Sequence, residues 1–404
     1  MRRFLCTVMC LAMLMAGTVA AEERPTRMYD TASGESEEML SVMTAAPASL
    51  SVNAKSAILM DIAGGTVLFE QNSDEPLPIA SVTKVMTLLL VMEAIDDGRI
   101  ALNDTVTVSA GAASMGGSQI WLEENEQMTV EELLKAAVIV SANDACAALA
   151  EHLCGTQEAF VERMNTRAAE LGAKNTHFMD CSGLDDTGVS SARDIALMSS
   201  ELLRAHPTIR NYTTVWMDSL RGGASELVNT NRLVRFYNGA TGLKTGTTAA
   251  AGCCLSATAE RDGLALCAVV LGAPSSDDRF GGARQLLDYG FASYSFFTPT
   301  EEQLACDPVK VLHGTDTAVA VVPSQTVGFP IDKAIRSSVE VHCELVAEAE
   351  APVEAGQRLG EAVIVSGETE LCRIPLVAAA SVERLDFGRA FARFFEAMSS
   401  GRYR

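Results

Sequence analysis

Helix-forming and strand-forming patterns fall into separate blocks along this chain, and that order narrows the folds open to it. In AKSAILMDIAGGTVLFEQN (54–72) two short apolar segments flank Gly64-Gly65 and read as a β-hairpin. Helical periodicity then takes over. SVTKVMTLLLVMEAIDDGRI (81–100) predicts a helix ending near Gly98, and MTVEELLKAAVIVSANDACAALAEHL (128–153) predicts two helices broken around Ser141. TQEAFVERMNTRAAELGA (156–173) follows with Thr156 as cap, then SARDIALMSSELLRAH (191–206). Strand patterns return in TGLKTGTT, AGCCLSATAERDG and LALCAVVLGAP, the last two joined by an Arg261-Asp262-Gly263 turn. Strands at both ends of a helical middle imply an α+β domain whose sheet unites N- and C-terminal strands.

The remainder of the 404 residues divides by composition. Arg2 and Arg3 precede an apolar run from Phe4 to Gly17 and small residues Val19-Ala20-Ala21, the layout of a secretory signal peptide over residues 1–21. The run is short for a membrane span. A polar, Ser/Glu/Thr-rich stretch over 22–47 reads as a flexible spacer. The catalytic candidates fall within 48–293. After Tyr294 the pattern changes: VAVVPSQTV, SVEVHCELVAE and GEAVIVSGETELCRIPLVA predict a small β-rich domain over 300–380. In the tail, 381–404, Phe387, Phe391, Phe394 and Met398 recur at helical spacing beside Phe395, with Arg384, Arg389 and Arg393 elsewhere around the wheel. Such a tail, over 384–398, suits a membrane surface or its own protein.

A formal charge of −21, from 31 basic and 52 acidic side chains, repels phosphate backbones and argues against nucleic acid as a partner. Eleven cysteines are present; nine remain once Cys6 and Cys10 leave with the signal peptide. An odd, sparse set lying mostly in apolar runs reads as small buried hydrophobes and argues against a disulfide framework. Cysteine spacing and only five histidines give no zinc pattern, so no metal is expected.

Three short motifs carry the chemistry. PIASVTKVMT places Ser81 and Lys84 one helical turn apart. A serine hydroxyl needs an adjacent base, and Lys84 can serve if burial and a neighbouring cation, such as Lys244, lower its pKa. Backbone amides at a helix start can stabilise an oxyanion. IVSANDA supplies Ser141, a hydroxyl able to relay a proton, and Asn143, an amide able to orient a peptide bond. Taken alone this pair is an ordinary helix cap. TGLKTGTT supplies Lys244 and Thr245, able to bind a carboxylate, and Gly246, which lets a peptide lie close to a strand edge.

The three triplets, in this order, are the signature set of class A β-lactamases and penicillin-binding proteins. Together with GSQIWLEENEQMTVEELLKAAVIVSANDACAALAEHL and NTNRLV, they make the chain resemble the serine-type D-alanyl-D-alanine carboxypeptidases over about residues 50–292. The β-rich segment resembles that family's second domain more loosely. The resemblance implies a penicillin-recognising, transpeptidase-like fold, an antiparallel sheet between helices, with Ser81 between two subdomains. It implies a peptidoglycan stem pentapeptide ending in D-Ala-D-Ala as substrate, β-lactam antibiotics as covalent inhibitors, and no cofactor. It further implies Ser81 as nucleophile, Lys84 as base and Ser141 as relay. Asn143 and Lys244, Thr245, Gly246 and Thr247 would hold the acyl chain and terminal carboxylate, with the Ser81 and Thr247 amides as oxyanion hole. Relatives often carry Gly where this chain has Ala142, and His where it has Thr247, which implies tuning of rate or preference. The protein would work outside the cytoplasmic membrane, on its outer face.

A class A β-lactamase would need a glutamate for deacylation in a Glu-x-x-x-Asn stretch. Glu162 and Asn165 are three apart in an amphipathic helix and do not fit. A Ser-His-Asp hydrolase lacks its Gly-x-Ser-x-Gly elbow here. The motifs do not encode the acyl acceptor, so a D,D-endopeptidase or transpeptidase stays open, as does a catalytically silent wall-binding protein.

Overall fold

The computed structural model describes residues 50–325, 328–391 and 395. Strands β1 (Ser56–Asp61) and β2 (Val67–Gln71) form the expected antiparallel hairpin. A 3₁₀ turn at Ala80–Thr83 leads into α1 (Lys84–Asp96). There follow β3 (Thr105–Thr107), α2 (Ala110–Ala113), β4 (Gln127–Thr129), α3 (Val130–Ile139), α4 (Asn143–Cys154), α5 (Gln157–Glu170), α6 (Ala192–Ala205) and α7 (Arg210–Thr213). A small hairpin, β5 (Met217–Leu220) and β6 (Ser225–Val228), and the short α8 (Leu233–Phe236) precede three long strands. These are β7 (Ala240–Thr248), β8 (Gly252–Arg261) and β9 (Leu264–Ala273), followed by α9 (Ser276–Ser293).

The main sheet has the order β2-β1-β9-β8-β7 and is antiparallel throughout. Pairing of β1 with β9 joins the two ends of the block, as the element order predicts. Alternation with period two splits the strand side chains between two cores. Ile58, Met60, Cys267, Val269 and Leu271 face the large helical core built on α1, α3, α4 and α6. Leu59, Leu266, Ala268 and Val270 face α9 through Phe280, Leu286 and Leu287. The sheet is therefore covered on both faces, and β7 is left as an edge beside the helical block.

Local chemistry sets the helix boundaries. Thr129 and Glu132 form a capping box at α3, and Thr156, Ser191 and Ser275 each accept a backbone N–H at the start of α5, α6 and α9. The α3–α4 break falls at Ser141, whose φ of 65° lies outside any helix. Neither Ser141 nor Asn143 acts as a side-chain cap: Ala142 is the N-cap of α4 and makes no capping bond.

Beyond α9 come β10 (Tyr294–Phe297), β11 (Val309–Leu312), β12 (Ala318–Val319), β13 (Val321–Pro323) and β14 (Phe329–Asp332). Next are β15 (Val339–Leu345), β16 (Glu348–Glu350), β17 (Arg358–Ser366) and β18 (Thr369–Ala378). They build a four-stranded sheet β13-β18-β17-β15, a three-stranded sheet β12-β11-β16 and the pair β10-β14. Their core, from Phe297 to Val382, is separate from the other two.

One cysteine expectation is corrected here. Cys306 and Cys343 form a disulfide, with Cα atoms 6.1 Å apart. Their sequence separation of 37 residues hides a pairing that the β-rich fold creates by bringing β15 beside the segment after β10. Of the others described, Cys146, Cys181, Cys254, Cys267 and Cys372 are buried, as the small-hydrophobe reading expects, while Cys154 and Cys253 are partly exposed. In the tail, Phe387 and Phe391 lie on a short helix. Arg393, Phe394 and Met398 are outside the described residues, as are residues 1–21 and 22–47.

Candidate active site

Ser81 sits in the 3₁₀ turn, three residues before α1 begins, and its side chain makes no capping bond. Its half-buried hydroxyl is therefore not spent on closing a helix. The preceding Ala80 is held at a φ of 49°, in the left-handed region that costs an L-residue energy. Two glycines pack against this turn. A Cβ on Gly183 would overlap the Ala80 carbonyl oxygen, and one on Gly246 would lie 2.7 Å from Ile79 O and 2.9 Å from Ser81 N. Only glycine lets β7 and the 180–187 loop approach the serine this closely.

Lys84, the first residue of α1, is fully buried, and its Nζ meets three oxygens. It lies 3.0 Å from Ser81 Oγ, 2.6 Å from Asn143 Oδ1 and 2.7 Å from the Ser182 carbonyl. An ammonium would fill all three as donor. A neutral amine would donate to Asn143 and Ser182 and accept the Ser81 hydroxyl proton, so the same cage serves both states. Burial pushes the Lys84 pKa below its ordinary value, with the Asp180 and Asp144 carboxylates among the groups opposing the shift. Lys244, also buried, is pushed well below the ordinary lysine value by burial first and then by the Lys84 charge. The lowered Lys84 pKa thus comes chiefly from desolvation, more than from the neighbouring cation that the spacing suggested.

Asn143 is locked in orientation. Its Nδ2 donates to Gly116 O at 2.7 Å and its backbone N–H to Ser118 O at 2.7 Å, which turns Oδ1 toward Lys84. The Gly116–Ser118 loop is anchored in turn by Asp144. That buried carboxylate accepts from Ile120 N and Leu122 N at 3.0–3.2 Å. Ser141 Oγ is buried and, among the described residues, has no hydrogen-bond partner. A buried hydroxyl left unpaired costs stability and is a donor in waiting. Ala142 has φ −60° and ψ 119°, ordinary for an alanine, so glycine is not required there.

On β7, Lys244 Nζ donates to the Thr245 carbonyl at 2.9 Å, and Thr245 Oγ1 lies 2.7 Å from Thr230 Oγ1. Thr247 is exposed, and its hydroxyl accepts from Arg279 Nη1 at 2.9 Å. Arg279, on α9, also donates to the Gly246 carbonyl at 2.9 Å. The structure thus draws the Ser81, Ser141 and Lys244 motifs to one groove between β7 and the helical block. Asp144, Ser182, Thr230 and Arg279 join them without having been singled out by sequence. Asp144 stands inside a quoted motif, directly after Asn143, and Thr230 lies within NTNRLV; Ser182 and Arg279 carry no local signal.

Comparison with known proteins gives a consistent picture. Residues 41–275 match the model of the D-alanyl-D-alanine carboxypeptidase family, and residues 297–384 match the C-terminal domain of penicillin-binding protein 5. The chain is 39% identical over 343 residues to D-alanyl-D-alanine carboxypeptidase DacF of Bacillus subtilis, covering 84% of this chain and 88% of that one. Penicillin-binding protein 5 from Haemophilus influenzae superposes with a TM-score of 0.76 at 30% identity, covering 83% of this chain and 98% of the other. Penicillin-binding protein D2 from Listeria monocytogenes, solved in its ampicillin-bound form, superposes with a TM-score of 0.55 at 34% identity. That match covers 60% of this chain and 99% of the other.

Proposed function

Because the chain belongs to the D-alanyl-D-alanine carboxypeptidase family, we propose that Ser81 is its nucleophile and Lys84 its general base. The protein is a serine peptidase that removes terminal D-Ala from peptidoglycan stem peptides during cell-wall maturation, and it binds β-lactams. The observation that carries the assignment of roles is the buried Lys84 amine 3.0 Å from the Ser81 hydroxyl.

In this reading neutral Lys84 takes the Ser81 proton as Oγ attacks the carbonyl of the penultimate D-Ala. The Ser81 and Thr247 backbone amides stabilise the oxyanion, an arrangement supported by the close approach at Gly246. Ser141 passes the proton to the departing D-Ala nitrogen, and its lack of a resident partner suits that role. Lys244 and Thr245 hold the terminal carboxylate, while Asn143 and Thr247 hold the acyl chain, with Arg279 behind Thr247. Water then hydrolyses the Ser81 ester. A β-lactam acylates the same oxygen.

Residues 1–21 would export the chain, and a disulfide is in keeping with an oxidising, extracytoplasmic setting. Residues 48–293 would form the catalytic domain and 300–380 a pedestal beneath it. Phe387, Phe391 and Phe395 are 86%, 54% and 58% exposed and stack along one side of the tail, which fits insertion into a membrane surface. The test of the central claim is D-Ala release from a peptide ending in Lys-D-Ala-D-Ala, by the chain from residue 22 onward and its Ser81→Ala variant. Release by the parent alone is expected. No release by a parent that penicillin still acylates would point instead to cross-linked peptides.

A further inference from the structure

The groove is charged asymmetrically. Near its Lys244–Thr245 end lie Lys84 and Lys244, with Arg279 midway, on Gly246 and Thr247. At its other end Thr248, the last residue of β7, donates its hydroxyl to the Asp186 carboxylate. Asp186 is exposed and forms no ion pair among the described residues. The loop that presents it is built to hold its shape. The Asp180 carboxylate accepts from the backbone of Ser182, Gly183 and Asp185, and Asp185 accepts from Thr187 N and Oγ1. The same loop supplies the Ser182 carbonyl to Lys84, so Asp186 is fixed relative to the nucleophile.

Direction along β7 follows from the chemistry already assigned, on which this step rests. The terminal carboxylate lies toward Lys244 and Thr245, and the scissile carbonyl lies beside Gly246 and Ser81. The acyl chain must therefore leave past Thr247 toward Thr248. The scissile carbonyl oxygen points to the Thr247 amide, and an extended peptide advances about 3.3 Å per residue, so the residue just before the penultimate D-Ala comes abreast of Thr248. A long side chain at that position reaches Asp186. We infer that Asp186, tethered by Thr248, is a specificity residue that selects stem peptides carrying a free amine on the side chain preceding D-Ala-D-Ala.

Such an amine is present on an uncross-linked diamino acid and is lost as a cation when cross-linking acylates it. The groove would then take a substrate with an anionic end and a cationic side chain, and it would disfavour the acylated form.

The experiment compares two peptides, Nα-acetyl-Lys-D-Ala-D-Ala and the same peptide acetylated on Nε, with the full exported chain and with Asp186→Asn and Asp186→Lys. The parent should favour the free amine in kcat/KM by roughly threefold to fivefold, the scale of a half-exposed ion pair, with the difference in KM. Asp186→Asn should bring the ratio of the two peptides to about one, and Asp186→Lys should invert it. Penicillin acylation of each variant reports that the site is folded. A ratio near one in the parent, or a ratio unmoved in folded Asp186→Asn, overturns the assignment of Asp186 alone. No D-Ala release from either peptide by the parent overturns the carboxypeptidase reading and this inference with it.

Discussion

Individual residues in this fold are strained or left unpaired beside the proposed catalytic groups, and others are left so elsewhere. Ala80, next to the proposed nucleophile Ser81, and Ser141, the proposed relay, both hold positive φ, and Ser141 Oγ is buried without a partner among the described residues. Asp61, at the end of β1 and remote from the motifs, shares the second property. It is fully buried; Oδ2 accepts from Gly64 N at 2.7 Å, while Oδ1 has no partner among the described residues. Burial raises its pKa from 3.8 to about 6, against the opposing pull of the Gly64 and Ala63 amides. Because the folded-state value lies above the unfolded one, the stability linked to Asp61 is fully present below pH 3.8 and is lost as pH rises through about 6. The swing is about 3 kcal/mol. Asp61→Asn should therefore be more stable than the parent at pH 8 and nearly equal to it at pH 4. Urea unfolding at the two pH values checks this, and a constant difference between the proteins would refute it.

Elements were largely legible from pattern because their boundaries are set locally. Thr156 caps α5, Gly64-Gly65 turns the first hairpin, and the α3–α4 break falls at Ser141. The motif spacing was legible too, since Ser81 and Lys84 meet through one turn of their own chain. What could not be read were contacts between elements distant in sequence: Ser182 on Lys84, Arg279 behind Thr247, and Asp144 holding the loop over Asn143. The 3₁₀ start of α1 was also hidden, because it depends on Gly183 and Gly246 pressing against it from elsewhere. Asp144 gives this a measurable form. Asp144→Ala would strand the buried N–H groups of Ile120 and Leu122, at a cost of about 2–4 kcal/mol. It would also release the loop whose Gly116 carbonyl orients the Asn143 amide. Both thermal stability and the rate of acylation by a fluorescent penicillin should fall, the latter about tenfold. A stability loss with an unchanged acylation rate would show that the loop does not position Asn143.

At the scale of the molecule, the catalytic cores and the β-rich core are distinct, and a join links them. It runs through β10, which continues from α9 and pairs with β14, and through Lys333, whose Nζ donates to Phe291 O at 2.6 Å. Arg336 adds bonds to Ser295 Oγ and Phe296 O. The β-rich part is the thinner of the two: β15 is an edge strand with little of its length buried. A small core of this kind gains from a cross-link, and Cys306–Cys343 ties that edge strand back to the segment leaving β10. For a separation of 37 residues, restriction of the unfolded chain is worth about 4 kcal/mol in the chain-entropy model. That stabilisation belongs to the β-rich unit, because the described residues of the closed loop make no hydrogen bond or ion pair to the Ser81, Ser141 or Lys244 motifs. Reduction should accordingly lower one calorimetric transition and leave the other in place, with Ser81 still acylated by penicillin at the temperature where the first unit has melted. If reduction instead abolished acylation, or moved a single transition as a whole, the two units would be one cooperative body and the join through β10 would be stronger than its few bonds imply.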